Sequence, residues 1–148
     1  MKWTCDGCGH QIENVDDGWV EWKQYINENK QSDGLRLVHH RRINRSCAYN
    51  GHDIYQQEEP AILADSDLNS FLGDDGLMRL LSMIADDEVN KNDVLEMIKR
   101  LHIKGYEASR LHFKEAIREG IFEPNTPPNY YVQSDIEATL NYLKEKNS

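Results

Sequence analysis

Cys5-Asp6-Gly7-Cys8-Gly9 places two thiols with two residues between them, and glycines stand where a tight turn needs backbone freedom. This spacing lets both sulfurs face one ion while neighbouring amides point at them. A closed zinc site takes four ligands, so two more must come from elsewhere. The third cysteine is Cys47, and histidines crowd around it: His39, His40 and His52, with His10 beside the knuckle. An odd number of cysteines argues against a disulfide framework. The chain opens Met1-Lys2-Trp3-Thr4 without an apolar run, so a reducing, cytoplasmic setting is expected. There a Cys-x-x-Cys reads as a metal site or a redox pair. A redox pair belongs at the start of a helix, and the polar residues after Gly9 start none. A structural zinc is therefore the expectation.

The fourth ligand follows from side-chain alternation. Leu35, Leu37 and His39 share one face of an extended stretch, and Arg36, Val38 and His40 share the other. If the leucines face the core, His39 turns inward with them. The expected set is Cys5, Cys8, His39 and Cys47, with His40 and then His52 as the alternatives. Three thiolates and one imidazole leave no open coordination position, which suits a structural rather than a catalytic zinc.

These ligands need a scaffold that can bring distant residues together. Gly18 to Ile26 is rich in aromatic and β-branched residues and reads as a strand. Asp33-Gly34 signals a turn, and Leu35 to His40 reads as the returning strand that carries His39 toward the knuckle. Trp3, Trp19 and Trp22 are the expected core of this small lobe. Beyond Glu58-Glu59-Pro60 the pattern becomes helical. Ala61 to Phe71 reads as a short apolar connection. Leu77, Leu80, Leu81 and Ile84 form one stripe, and Val94, Leu95, Ile98 and Leu101 form another behind a cap at Asn92. Gly105 breaks that helix, and a further one is expected over 106–119. Ser134-Asp135-Ile136-Glu137 reads as a capping box opening the last. The whole is an α+β protein: a zinc-stapled antiparallel β lobe over 1–59, then a lobe of four to five helices over 60–148.

Charge narrows the function. The net charge is −9 over 148 residues, which opposes non-specific nucleic-acid binding by the whole molecule. No stretch approaches the ~20 apolar residues of a membrane span. The acidity is uneven, and Arg110, Lys114 and Arg118, spaced four apart, could follow a phosphate backbone from one face of the 106–119 helix. Glu107 and Glu115 interrupt that stripe, so an ordinary solvated face is the stronger reading. His39, His40, Asn44, Cys47 and His52 loosely follow the order of an HNH-type nuclease, but the glycine-interrupted segment after Cys47 starts no convincing helix and a second Cys-x-x-Cys is missing. His-Glu-x-x-His, phosphate-cradling glycine loops and serine-nucleophile motifs are absent from the sequence.

Trp3-Thr4-Cys5-Asp6-Gly7-Cys8-Gly9, Leu37-Val38-His39-His40 with Cys47, and Arg100 to Ala108 together resemble small bacterial and phage proteins with an N-terminal zinc-ribbon-like domain. The resemblance implies a metal-binding fold and no activity. The expected function is a non-enzymatic zinc-containing adaptor or regulator whose partner is another protein. A DNA-binding regulator using Arg110, Lys114 and Arg118 comes second, and a metal-dependent nuclease third.

Overall fold

The computed structural model describes residues 2–27, 29–49 and 61–148. His52 and the expected break at Glu58-Glu59-Pro60 lie outside them. Two compact units divide the chain, residues 1–102 and 103–148.

The first unit is built on β3 (Gly18–Tyr25). β3 pairs antiparallel with β4 (Asp33–His39) on one side and with β5 (Ala61–Asp67) on the other, giving the order β4-β3-β5. The β3–β4 register sets Gly18 opposite His39 and Val20 opposite Leu37, with an irregularity between Glu21 and Lys23. The expected hairpin is therefore present, and it returns His39 to the root of β3. A second, two-stranded sheet joins β1 (Trp3–Thr4) to β2 (Gln11–Ile12) around the knuckle.

Residues 61–71 differ from expectation. The stretch is a seven-residue strand followed by a short 3-10 turn at Leu68–Phe71. β3 would otherwise present an open row of backbone donors and acceptors, and pairing along β5 satisfies them. The segment therefore belongs with the first sheet, and the strands do not end at residue 59.

Two helices cover this sheet, α1 (Gly73–Ala85) and α2 (Lys91–His102). They share one apolar cluster with Trp3, Ile12, Val20, Trp22 and Leu37. For that reason the compact unit runs to His102, where the composition suggests a division at 59/60. The buried face of α1 is Gly76, Leu80 and Met83; Leu81, read from the sequence as part of the stripe, is exposed. On α2 the buried residues are Val94, Met97, Arg100 and Leu101. The α2 cap is Asn90, whose side-chain oxygen accepts from the amides of Asn92 and Asp93, and not Asn92 as its polarity suggests.

The second unit holds α3 (Tyr106–Ser109), α4 (Phe113–Arg118) and α5 (Gln133–Lys146). Phe113 is its hub, with ring contacts to Tyr106, Phe122 and Tyr131. The single helix expected over 106–119 is interrupted at 110–112. Ser109 bonds its hydroxyl back to the carbonyls of Gly105 and Tyr106, and this local competition suits a helix end. The interruption leaves Leu111 exposed while Phe113 and Ala116 are buried. α5 starts at Gln133 with Val132 in the cap position, so the Ser134 box lies within the helix and does not open it. No helix among the described residues is long and apolar enough to cross a membrane.

Candidate metal centre

Cys5, Cys8, His39 and Cys47 converge, with one potential ligand atom from each and every pair of those atoms within 4.8 Å. The Cys8 sulfur lies 3.4 Å from His39 Nδ1 and the Cys47 sulfur 3.8 Å from it. A tetrahedron with Zn–S of about 2.3 Å and Zn–N of about 2.0–2.1 Å has S···N edges of roughly 3.5 Å. The observed separations bracket that value.

Three pieces of local structure bring the four residues together, the knuckle carrying both Cys5 and Cys8. Cys5 lies immediately after β1, and the knuckle closes with the Gly9 amide on the Cys5 carbonyl at 2.9 Å and the Cys5 amide on the His10 carbonyl at 2.9 Å. Gly9 adopts φ of +79°, a conformation that favours glycine. His39 is the last residue of β4. Cys47 ends a 3-10 turn at Arg45–Cys47, whose cap is Asn44, its side chain accepting from the Ser46 amide. The loop from His40 to Ser46 is a tight excursion between two of the four converging residues.

The orientation of His39 is fixed from behind. Its Nε2 lies 3.1 Å from the Gln11 carbonyl, which can only accept a hydrogen bond. That places the proton on Nε2 and leaves the Nδ1 lone pair facing the sulfurs, the arrangement by which an outer hydrogen bond sets the tautomer of a metal-binding imidazole. His40 points elsewhere: its ring meets Trp19 edge-on at 4.9 Å, and its Nδ1 accepts from the Arg42 amide.

The sulfurs differ in their surroundings. Cys5 and Cys47 are each 1% exposed, and Cys8 is half-buried. Burial raises the Cys5 thiol, but backbone amides of Cys8, His39 and Gly7 aimed at its sulfur outweigh this and hold it at about 7. Burial, together with the neighbouring Cys5 and Cys8 sulfurs, pushes Cys47 up to about 12. The group is costly as three bare thiolates, and a dication placed among the sulfurs would reverse the sign of that field, so the cluster could hold a cation.

Two arginines, Arg100 buried and Arg36 half-buried, hold the two halves of the centre. Arg100 of α2 donates to Asp6 Oδ2 at 2.7 Å and to the Thr4 carbonyl at 2.9 Å, and so grips the knuckle. Arg36 of β4 donates to the Cys47 carbonyl at 2.6 Å and to Glu21 Oε1 at 3.0 Å. Sequence reasoning missed both. A readable signal exists for Arg100, a charged residue in phase with the apolar stripe Val94, Met97 and Leu101.

Gly7 is also constrained. A Cβ built there would sit 2.8 Å from both the Cα and the carbonyl oxygen of Cys47. Backbone cannot yield as a side-chain tip can, so Gly7→Ala is expected to wedge the knuckle away from Cys47. Its metal content after dialysis should fall well below that of the wild type; equal occupancy in the two proteins would contradict the close approach.

Arg110, Lys114 and Arg118 are not part of this cluster. Arg110 is half-buried in the interruption between α3 and α4, while Lys114 and Arg118 are exposed on α4. The continuous helix face on which those three residues were aligned is not present. No family model, no curated protein and no solved structure matches the chain.

Proposed function

We propose that Cys5, Cys8, His39 and Cys47 bind one zinc ion, and that this ion is a structural staple in a non-enzymatic binding protein. The observation that carries the reading is the imidazole of His39. One nitrogen is held by a backbone carbonyl, and the other stands at ligand-to-ligand distance from two sulfurs. Three soft thiolates and an imidazole favour zinc over the hard cations that prefer oxygen. Four protein ligands complete a tetrahedron and leave no position for a reacting water. When bound, the ion would hold the knuckle, the end of β4 and the 3-10 turn in one place, adding to the bonds from Asp6 to Leu37 and from Arg36 to the Cys47 carbonyl that already link them.

A protein partner suits this reading better than nucleic acid, because the chain carries −9 overall and the basic stripe lacks its continuous helix. The nuclease reading loses support as well. It needs a free histidine base and an available asparagine, whereas both nitrogens of His39 and the side-chain oxygen of Asn44 are engaged.

The deciding measurement is the metal content and native mass of the purified full chain. One zinc per chain is expected, and a protein that purifies and refolds without metal would sink the proposal. Affinity should also rise with pH. Cys47 is protonated at neutral pH when no metal is bound, so zinc must displace at least one proton. Competition with a chromophoric chelator at pH 6.5 and 7.5 should show zinc held about tenfold more tightly at the higher pH for each proton released. An unchanged constant would mean that the sulfurs are not the ligands.

A further inference from the structure

The side chain of Arg100 is 3% exposed and lies within the apolar stripe of α2. A guanidinium stays charged at every physiological pH, and burying it is tolerated only where its donors are met. Here they are met at the knuckle, by Asp6 Oδ2 at 2.7 Å and the Thr4 carbonyl at 2.9 Å. Asp6 stands between Cys5 and the Gly7 turn. Its Oδ2 also accepts from the Leu37 amide at 2.8 Å, and its own amide donates to the Leu37 carbonyl at 2.8 Å. Leu37 is two residues before His39. One carboxylate therefore ties the segment carrying Cys5 and Cys8 to the strand carrying His39, and a helix far along the chain holds that carboxylate.

We infer that Arg100 and Asp6 are a positioning pair for the metal centre, which couples metal occupancy to the order of α2. The inference rests on the proposed metal site and extends it to two residues that do not touch the ion. Metal sites lose about 10- to 100-fold in affinity when such outer partners are removed. A pair that served the fold alone would behave differently. Because zinc binding and folding are linked, its loss would lower the apparent affinity only as far as an equally destabilising change elsewhere on α2, for which Val94→Ala, measured alongside, is the control. Loss of a positioning pair falls on the loaded state.

The test uses the full chain. Zinc stoichiometry and dissociation constant are measured first for the wild type, by competition with a chromophoric chelator, and then for Arg100→Met, Arg100→Lys and Asp6→Asn. Asp6→Asn keeps an acceptor for the Leu37 amide and removes only the charge, so it decides the matter if Arg100→Met does not fold. Arg100→Met is expected to bind zinc about 10- to 100-fold more weakly, Asp6→Asn to move in the same direction, and Arg100→Lys to recover part of the loss. Hydrogen exchange over residues 91–102 should quicken when the wild type is stripped of metal. A wild type that takes up no zinc would overturn the metal centre itself. A wild type that binds one zinc, with Asp6→Asn losing no more affinity than Val94→Ala, would leave the centre standing and overturn the positioning pair.

Discussion

Replacing Cys47 with serine is expected to empty the metal centre and to unfold residues 1–102 at room temperature. Cys47 is 1% exposed and lies at the end of a 3-10 turn that returns the chain to the knuckle. A serine hydroxyl in the same place is a poor zinc ligand, because it does not ionise near neutral pH and lacks the soft donor of a thiolate. The loss should therefore exceed the 10- to 100-fold that an outer partner commands. A structural zinc contributes roughly 10–16 kcal/mol of apparent binding energy, and a domain has only about 5–15 kcal/mol of net stability. A unit that spends its first half on two short sheets and loops has little reserve against such a loss. Chelation of the wild type should reproduce the variant, with matching loss of near-ultraviolet signal from the buried Trp3 and Trp22. A Cys47→Ser protein that melts like the wild type while carrying no metal would show that the ion is dispensable to the fold. One that still carries a full equivalent of zinc would show that Cys47 is not a ligand.

How far the site was legible follows from where its parts are encoded. The knuckle is local, and a spacing of two residues between cysteines can be read directly. His39 was legible from strand alternation, in phase with Leu35 and Leu37, and it joins the cluster. Alternation is not the whole reason, because Leu35 is half-buried and Val38, on the opposite face, is as buried as Leu37. The α+β class was legible on the same grounds. The place of residues 61–67 was not, because an edge strand is specified by the open backbone of its neighbour as well as by its own composition. The broken helix at 110–112 was hidden for a related reason. Arg110 to His112 have acceptable helix propensities, and only the back-bonding of Ser109 and the burial of Phe113 decide the interruption. Arg36 and Arg100 escaped because a charged side chain is assigned to solvent by default, and nothing local reveals that its partners lie 15 or 94 residues away.

Arg36→Met is expected to cost about 3–5 kcal/mol at neutral pH, and to cost less in acid. Glu21 sits on the central strand with a side chain that is fully buried, and its Oε1 takes donors from Arg36 Nε at 3.0 Å and the Tyr49 amide at 2.8 Å. Oε2 is buried with no hydrogen-bond partner. Burial lifts the Glu21 carboxyl above its ordinary value, and the positive charge of Arg36 works against that lift. Methionine keeps the length of the stem and its packing over the Tyr49 ring, where the guanidinium now lies at 3.6 Å, but it removes the opposing charge. Glu21 must then remain ionised without an ion partner or take up a proton. Because the folded-state value already exceeds the unfolded one and would rise further, the folded protein binds more protons than the unfolded chain. Stability contributed in this way is fully present below the unfolded value and is lost as pH rises toward the folded one, by about 1.4 kcal/mol per pH unit within that window. Urea unfolding between pH 5 and 8 should therefore show a midpoint deficit of the variant, relative to the wild type at the same pH, that grows as pH rises. The double variant Arg36→Met with Glu21→Gln should lose the added slope, since its carboxamide cannot ionise and still accepts from the Tyr49 amide. An Arg36→Met protein whose midpoint tracks the wild type across that range would mean that the buried carboxylate does not depend on this guanidinium.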